Sequence, residues 1–302
     1  MSEPALSDVT VVIVAFNSAH VLEGCLAALP AEVPLVVVDN ASRDGSADLV
    51  RRLAPRAMVL PRPLNEGLAA AANLAFARVE TPYGLLLNPD TVPDAAMIAS
   101  LCRAAARYPD AGLLAPMPFE PGRGLQWGRQ VFYAPAAAKP PTPDLPEGDV
   151  CCTYVGGPAM FFPMAAFRRI GGFDDRLFLY YEDDDICMRM RGAGFGLVYA
   201  AEARMAHLGG QSTTAIADLD YWKNWHMAWS RARMEEKTGG RGAAILQALG
   251  TAGINLFKRL TRPGDARRSR YAGRLGGAVA WLAGRNARDV RLGPANDPPP
   301  QG

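Results

Sequence analysis

The stretch VTVVIVAFNSAHVLEGCLAALPAEVPLVVVDN, residues 9–40, decides the fold class. Residues 9–16 and 34–40 are nearly continuous β-branched runs, which are typical of parallel strands covered by helices on both faces. Between them, SAHVLEGCLAALP has a serine suited to capping and apolar residues at helical spacing. The stretch therefore predicts a strand, a helix and a second strand.

The same alternation continues beyond residue 40. SADLVRRLA, GLAAAANLAFARV and DAAMIASLCRAAARY predict helices, and AMVLPR and YGLLLN predict the strands between them. This order predicts an α/β fold with a doubly wound, mainly parallel sheet. In such sheets ligands bind at the carboxyl ends of the strands.

Composition narrows the class of protein. A chain of 302 residues that is 49% hydrophobic can bury a full core. Five cysteines, two of them adjacent at Cys151 and Cys152, suggest neither a disulfide framework nor a paired zinc motif, so we expect a reducing, cytoplasmic location. The N-terminus has no apolar signal segment, so a cleaved secretory signal is not expected. No run of eighteen or more apolar residues occurs, so the sequence does not predict a membrane-spanning helix.

Charge is distributed unevenly along the chain. Residues 1–228 hold 18 Lys/Arg against 25 Asp/Glu, whereas residues 229–291 hold 14 against 4. We predict a catalytic domain over 1–228, a basic helical appendage over 229–291 and a disordered tail over 292–302.

Two roles are open for the appendage. It could lie on an anionic membrane surface, or it could form a helical pair packed on the body or on a second copy in a homodimer. Nucleic acid is disfavoured, because stacking aromatics are not interleaved with the basic residues.

Polar residues follow each of the first four predicted strands. The segments are AFNSA, DNASRDGS, LNEG and NPDT. Each alone is ordinary turn chemistry, but four at one sheet edge favour a nucleotide, whose base or ribose could donate hydrogen bonds to Asp39. Neither GxGxxG nor GxxxxGK[ST] is present, which disfavours dinucleotide and P-loop sites.

LLLNPDT, residues 85–91, places a carboxylate at the mouth of the sheet. This carboxylate belongs to Asp90, and two roles are open to it. It could bind a hard divalent cation that also binds substrate phosphates, or it could cap the following helix.

The run LFLYYEDDDICMRMRGAGF, residues 177–195, crowds four acids, Glu182 to Asp185, beside aromatic residues. Neighbouring acids and partial burial both raise a carboxyl pKa, which suits a general base. The alternative is a helix start with solvated acids, which the helix dipole would favour.

An ordered series of segments resembles glycosyltransferase family 2, most closely its rhamnosyltransferase branch. The series is VVIVAFN, VVVDNASRDGS, LNEGLAAAAN, LLLNPDT, GGPAMFF, IGGFDDRLFLYYEDDDICMRMRGAGF and HLGGQST, spanning residues 9–214. The resemblance implies a GT-A fold, a nucleotide-diphosphate sugar donor, Mg²⁺ or Mn²⁺, and inversion at the anomeric carbon.

The resemblance also implies roles within the acidic run. Asp183 corresponds to the family's catalytic base, and Glu182 orients or assists it. Asp184 is expected to be an ordinary solvated residue, and Asp185 to support the site from outside it. The acceptor contacts implied are Gly156, Gly157 and Tyr181. GGPAMFF is expected to be a strand edge at which the glycines allow an acceptor to approach closely.

The donor and metal sites follow from the same resemblance. Asp39 corresponds to the base-binding aspartate, and Asn88-Pro89-Asp90 stands at the DxD motif with Asn88 replacing its first acid. The metal ligands implied are Asp90 and His207, although a lone histidine is ordinarily a surface or core residue. The nucleotide-sugar contacts implied are Ala15, Asn17, Asp39, Asn65, Gly67, Asn73, Asn88 and Asp90.

The predicted function is transfer of a sugar, with rhamnose from dTDP-rhamnose as the leading donor, to a lipid-linked or polysaccharide acceptor at the inner face of the cell membrane, in cell-wall or surface-glycan synthesis. A catalytically silent nucleotide-sugar-binding scaffold is the alternative outside enzymes. A sugar nucleotidyltransferase is less favoured, because AFNSAHV lacks a glycine-rich, basic triphosphate loop. The proline-rich residues 116–150 are predicted to be an irregular excursion.

Overall fold

A computed structural model describes residues 4–120, 124–125, 146–208, 212–213, 218–262 and 264–290. The chain forms two compact units. The first unit comprises residues 1–62, 71–173 and 183–214, and the second unit residues 63–70, 174–182 and 215–302. The tail predicted at 292–302 and residues 126–145 of the predicted excursion lie outside the described residues.

The first unit contains a mixed sheet, ten-stranded over the residues described, in the order β3-β2-β1-β4-β9-β6-β10-β5, with β7 paired to β6 and β8 to β10. The strands are β1 (Val9–Ala15), β2 (Leu35–Asp39), β3 (Met58–Pro61), β4 (Tyr83–Leu87), β5 (Thr91–Val92), β6 (Ala111–Glu120), β7 (Gly124–Leu125), β8 (Val150–Cys151), β9 (Ala159–Pro163) and β10 (Gly196–His207).

The helices that the structure describes are α1 (Ala19–Ala28), α2 (Ser46–Leu53), α3 (Leu68–Phe76), α4 (Ala95–Arg107), α5 (Met164–Arg169), α6 (Glu182–Gly192), α7 (Leu219–Thr261) and α8 (Arg268–Leu282). The division between the units passes through α3 and falls after the first residue of α6.

The predicted strand–helix alternation of residues 9–107 is confirmed. β1 is buried along its whole length and pairs in parallel with β2 and β4, which explains its continuous β-branched sequence. Beyond α4 the sheet differs from the prediction. β9 runs antiparallel between β4 and β6, so GGPAMFF leads into a central strand instead of a strand edge. The predicted excursion also starts too early, because residues 116–120 complete β6.

The core of the first unit lies on both faces of the sheet. One face includes Ile13, Leu87 and Phe161, all essentially inaccessible. A second part of the core is an aromatic cluster, in which the rings pack edge-on or tilted with centroids 4.4–6.3 Å apart. Its members are Phe76, Phe162, Phe167 and Phe173. Burying each aromatic side chain contributes about 1.5–3 kcal/mol.

The second unit is built on α7 and α8, which confirms the predicted helical C-terminal region. Gly240, with φ 81° and ψ 170°, interrupts α7 and divides it into residues 219–239 and 241–261. Ala232 and Ala248, one from each part, share a cluster with Ala278 of α8, so the chain folds back at Gly240. α7 runs through the predicted domain boundary at 228, and that boundary stays a prediction.

Residues 241–261 leave one helix face exposed. On this exposed apolar face, Leu246 is 73% accessible and Leu260 71%. Its members are Leu246, Leu249, Ile254, Leu256, Phe257 and Leu260. Among the described helices, none combines the length and hydropathy needed to cross a bilayer.

Candidate active site

The loops after β1 and β2 are tied together at the carboxyl edge of the sheet. The Asn17 backbone N–H donates to Ser42 Oγ at 3.0 Å, and the Arg43 N–H donates to Asn17 Oδ1 at 2.9 Å. Asn17 and Ala41 have φ values of 50° and 69°, in the left-handed region that few non-glycine residues occupy. These contacts fix the two loops around Asp39.

Asp39 ends β2 as a buried carboxylate. The Ser42 N–H donates to its Oδ1 at 3.2 Å. Burial raises the pKa of Asp39, and the hydrogen bonds from Ser42 oppose that rise. Further donors on a bound molecule would stabilise the ionised form. The geometry therefore suits an acceptor of hydrogen bonds from a base or ribose.

Asp90 follows β4 in a tight turn and has no accessible surface. The backbone N–H and the hydroxyl of Thr91 both donate to the Asn88 carbonyl, at 3.2 and 2.7 Å. Asp94 caps α4 by accepting from Met97 N–H at 2.7 Å. The sequence left capping by Asp90 open, and the structure assigns the cap to Asp94.

The Asp90 carboxylate is held between two side chains. Ser212 Oγ donates to Oδ1 at 2.6 Å, and His207 Nε2 lies 3.5 Å from Oδ2. The pairing of β10 with β5 places His207 opposite Thr91. The predicted metal ligands Asp90 and His207 are therefore adjacent. No cluster of three or more His, Cys, Asp or Glu suited to a metal occurs in the part of the chain described.

Ser18 connects the Asn17 loop with Asp90. Its hydroxyl donates at 2.6 Å to the carbonyl of Ser212, whose own hydroxyl binds Asp90. Its backbone N–H donates to Ser46 Oγ at 3.0 Å. The sequence predicts Ser18 as a helix cap; it is the N-cap residue of α1, but its side chain makes no capping hydrogen bond. The sequence did not single out Ser212, although it lies in a quoted motif.

The antiparallel β9 brings Gly157 to the same sheet edge. Leu87 at the end of β4 pairs with Ala159 at the start of β9, and the Asn88 N–H donates to the Pro158 carbonyl at 3.0 Å. The preceding glycine, Gly156, donates its N–H to Tyr199 Oη at 2.9 Å. A Cβ on Gly157 would lie 3.5 Å from Asp183 Oδ2, so this glycine adjoins the acidic run.

The four acids differ in their exposure. Glu182 is 9% accessible and Asp184 and Asp185 are 1% accessible, whereas Asp183 keeps partial access to solvent. The prediction that Asp184 is solvated is therefore wrong, because the start of α6 turns it into the protein. Asp183 is therefore the most exposed residue of the four.

Hydrogen bonds hold both carboxylate oxygens of Asp183. Tyr154 Oη donates to Oδ2 at 2.5 Å, and the Asp184 N–H donates to Oδ1 at 3.0 Å. Withdrawal of the carboxylate from water raises the pKa of Asp183, and these hydrogen bonds oppose the rise. Burial and the adjacent Asp183 charge raise the Tyr154 pKa, so Tyr154 stays a neutral donor. Tyr154 was missed, because no pattern in CCTYVGG distinguishes it.

Two unusual backbone conformations precede α6, and an ion pair lies within its first turns. Tyr180 and Tyr181 both have φ of 69°, a costly conformation for two consecutive aromatic residues. Asp185 accepts from Arg189 Nε at 2.8 Å. Glu182 and Tyr181 are assigned to the second unit, so the Asp183 cluster of the first unit does not include them.

Four predicted donor contacts have local structural roles. Asn73 donates to the Phe173 carbonyl and accepts from the Phe173 N–H, both at 2.9 Å, so its amide holds the segment before α6. In the second unit, Asn65 Oδ1 accepts from Gly67 N–H at 2.9 Å. Gly67 has φ of 83°, and a Cβ there would overlap the Phe178 backbone. Ala15 is buried, and its carbonyl accepts from Asn40 N–H.

Comparison with known proteins gives a family match. The model of Glycosyl transferase family 2 matches residues 10–169. The N-acetylglucosaminyl-diphospho-decaprenol L-rhamnosyltransferase of Mycobacterium tuberculosis is 27% identical over 235 residues, covering 67% of this chain and 76% of that protein. The pre-mycofactocin glycosyltransferase of the same organism is 29% identical over 209 residues, covering 68% of this chain and 44% of that protein.

Solved structures show the same fold. The mannosyltransferase PcManGT from Pyrobaculum calidifontis, in complex with GDP-Man and Mn²⁺, has a TM-score of 0.55 at 14% identity and covers 92% of this chain and 89% of its own. TarS from S. aureus, in complex with UDP, has a TM-score of 0.53 at 13% identity and covers 92% of each chain. The predicted GT-A fold is confirmed.

Proposed function

The chain belongs to glycosyl transferase family 2, and on that premise we propose an inverting, metal-dependent transfer of a sugar from a nucleoside diphosphate to a hydroxyl of a lipid-linked or polysaccharide acceptor. The observation that carries this proposal is the state of Asp183. It is the most exposed residue of the acidic run, it adjoins Gly157, and its pKa is raised.

In the proposed reaction Asp183 takes the proton of the acceptor hydroxyl. The acceptor oxygen bonds to the anomeric carbon as the bond from that carbon to the diphosphate oxygen breaks. Attack from the side opposite the diphosphate inverts the carbon. A raised pKa makes the carboxylate a stronger base, and Tyr154 fixes its orientation through Oδ2.

Asp39 and the Asn17 loop are proposed to hold the nucleotide. Hydrogen bonds from a base N–H or a ribose hydroxyl to Asp39 would replace the water that burial removes from its carboxylate. The Asn17–Ser42–Arg43 contacts hold this loop in place before the donor binds. Preorganisation of this kind lowers the entropic cost of binding.

Asp90 and His207 fit Mg²⁺ or Mn²⁺ with the diphosphate. Their Oδ2 and Nε2 atoms lie 3.5 Å apart, and the carboxylate is fully buried. Carboxylate oxygen and imidazole nitrogen both suit Mn²⁺, and Mg²⁺ accepts the carboxylate with substrate oxygens and water. A cation bound there supplies neutralisation of charge on the leaving diphosphate. Asn88 contributes no charge, so Asp90 is the sole carboxylate of its turn.

The likeness to the mycobacterial rhamnosyltransferase, at 27% identity, supports dTDP-rhamnose as the leading donor and a lipid-linked acceptor. The exposed apolar face of α7 supports peripheral contact with a membrane, where such an acceptor would be found. Cell-wall or surface-glycan synthesis is the corresponding process.

The proposal is tested by release of nucleoside diphosphate from a panel of nucleotide sugars, with Mg²⁺ or Mn²⁺ and membrane-lipid extract. We expect one donor to turn over, only in the presence of acceptor, and to give a product of inverted anomeric configuration by NMR. Donor binding without turnover under every condition would contradict the proposal and favour a silent scaffold.

A further inference from the structure

A cavity of about 400 Å³ lies wholly within the second unit. Four arginines and two tryptophans are prominent in its lining, namely Arg176, Arg233, Arg241, Arg285, Trp229 and Trp281. The cavity takes no residue from the Asp183, Asp90 or Asp39 clusters. Guanidinium groups beside aromatic and aliphatic side chains suit a ligand in which an anionic group is attached to an apolar group.

The charge of this arginine cavity is incompletely balanced. Among the described residues that line it, Glu236 is the one acid, at 3.1 Å from Arg233, which also pairs with Asp174 at 3.4 Å. Within the described residues Arg176, Arg241 and Arg285 form no ion pair, and the buried Nε of Arg233 has no acceptor. At least three cationic side chains thus stand ready for a ligand.

The backbone holds these arginines in place. The turn at Gly240 brings Arg241, at the start of the second part of α7, to the same cavity as Arg233. Trp229 Nε1 donates to the Arg285 carbonyl at 2.9 Å, which fixes the segment after α8. The backbone that carries Arg233, Arg241 and Arg285 is therefore held by α7 and by a tethered turn after α8.

The apolar side of the cavity continues into a longer apolar surface. Ile245 lines the cavity and lies beside Leu246, the first residue of the exposed apolar face of α7. Between Arg241 and Lys258 the chain carries no charged residue, and Lys258, Arg259 and Arg262 follow. The face from Leu246 to Leu260 extends about 21 Å at 1.5 Å per residue. An apolar face bounded by cations at both ends complements an anionic bilayer surface.

We propose that the arginine cavity binds the phosphate of an anionic membrane phospholipid while the exposed apolar face of α7 enters the acyl-chain boundary. The proposal deepens the peripheral membrane contact given under Proposed function, but it does not depend on sugar transfer. The cavity would supply phosphate recognition, and the apolar face would supply most of the partition energy.

The first test separates the cavity from general electrostatics. Dihexanoyl phosphatidylglycerol, below its micelle concentration at 150 mM salt, is titrated and followed by calorimetry. We expect Arg241→Gln/Arg285→Gln to weaken binding at least about tenfold. The charge-matched Arg259→Gln/Arg262→Gln pair, outside the cavity, should change it less than about twofold, because salt screens distant charges. Circular dichroism verifies that each variant is folded.

The second test uses vesicles and the full chain. We expect binding to phosphatidylglycerol vesicles, weak binding to phosphatidylcholine vesicles, and loss of vesicle binding in Phe257→Ser/Leu260→Ser with short-chain lipid affinity retained. Equal losses in the two arginine pairs, or no short-chain binding by the wild type, would overturn the proposal. So would binding of a polyprenyl diphosphate but not phosphatidylglycerol, or a dimer that covers the apolar face. Absence of transferase activity with lipid binding intact would refute only the proposed function.

Discussion

At the scale of single residues, Asp183 is distinguished from its three acidic neighbours by the fold. The sequence predicts a crowded acidic run and, through the family resemblance, Asp183 as the candidate base within it. It could not predict the burial of Asp184, because four consecutive acids look alike until the direction of each side chain from the first turn of α6 is known. Tyr154 and Ser212 were missed for a related reason, since each reaches its partner through a long-range contact.

Tyr154 is expected to tune the base. Its hydrogen bond favours the ionised form of Asp183, so Tyr154→Phe should raise the Asp183 pKa further. Because the protonated carboxyl cannot accept a proton, the acid limb of kcat/KM for the acceptor should move to higher pH. A pH–rate profile checks this shift. An unchanged limb with lower activity at every pH would instead assign Tyr154 a purely structural role.

Gly157 is expected to control access to Asp183. An alanine methyl would lie 3.5 Å from Asp183 Oδ2, in ordinary van der Waals contact, so Gly157→Ala should fold. The methyl should nevertheless obstruct an acceptor hydroxyl, lowering kcat/KM for acceptor about tenfold or more while donor affinity stays within about twofold. Steady-state kinetics with each substrate varied separately make the comparison. Equal losses for donor and acceptor would be evidence against this role.

At the scale of elements, the sequence predicts the strands and helices of residues 9–107, because their periodicity is local. The antiparallel insertion of β9 between β4 and β6 was not predictable, since pairing between strands distant in sequence leaves no local pattern. The turn in α7 was also missed. Gly240 is one of several glycines in this basic region, and only its conformation identifies it as the break.

The packing of α8 on α7 depends on a small residue. A Cβ at Gly277 would overlap the Trp225 carbonyl, whereas one at Gly250 would meet nothing within 4 Å. We expect Gly277→Ala to lower the free energy of unfolding by about 1–3 kcal/mol. Gly250→Ala should raise it by up to about 1 kcal/mol through helix propensity. Urea unfolding measures both. Similar effects of the two substitutions would contradict the close approach.

At the scale of the whole molecule, His226 should make stability depend on pH. Its ring stacks on that of Phe178 with the ring centroids 4.5 Å apart, and burial lowers its pKa from 6.5 to about 3. The unfolded chain therefore binds the proton first as pH falls. The stability that neutral His226 contributes is fully present above about pH 6.5 and is lost as pH falls toward 3.

His226→Phe, which keeps an aromatic ring in the stack, should remove this component. We expect the Tm of the wild type to fall more than that of the variant between pH 6.5 and 4, with a constant difference above pH 7. Thermal melts across this range provide the measurement. Parallel curves for the two proteins throughout would refute the assignment to His226.

The charge asymmetry along the chain is also a property of the whole molecule. The sequence predicts a basic C-terminal region with two open interpretations, a membrane surface or a packed helical pair. The second unit contains elements of both, because α8 packs on α7 through one set of positions while residues 246–260 leave an apolar face exposed. Helical periodicity alone could not assign the two faces, since both are rich in small and apolar residues.

The most direct test of Asp183 as the catalytic base compares acceptor-dependent release of nucleoside diphosphate by the wild type, Asp183→Asn and the exposed control Asp110→Asn. We expect Asp183→Asn to lower turnover by about 10²–10⁴-fold with donor affinity within about twofold, and Asp110→Asn to change neither. Turnover by Asp183→Asn within about threefold of the wild type would rule out Asp183 as the base and place the base elsewhere.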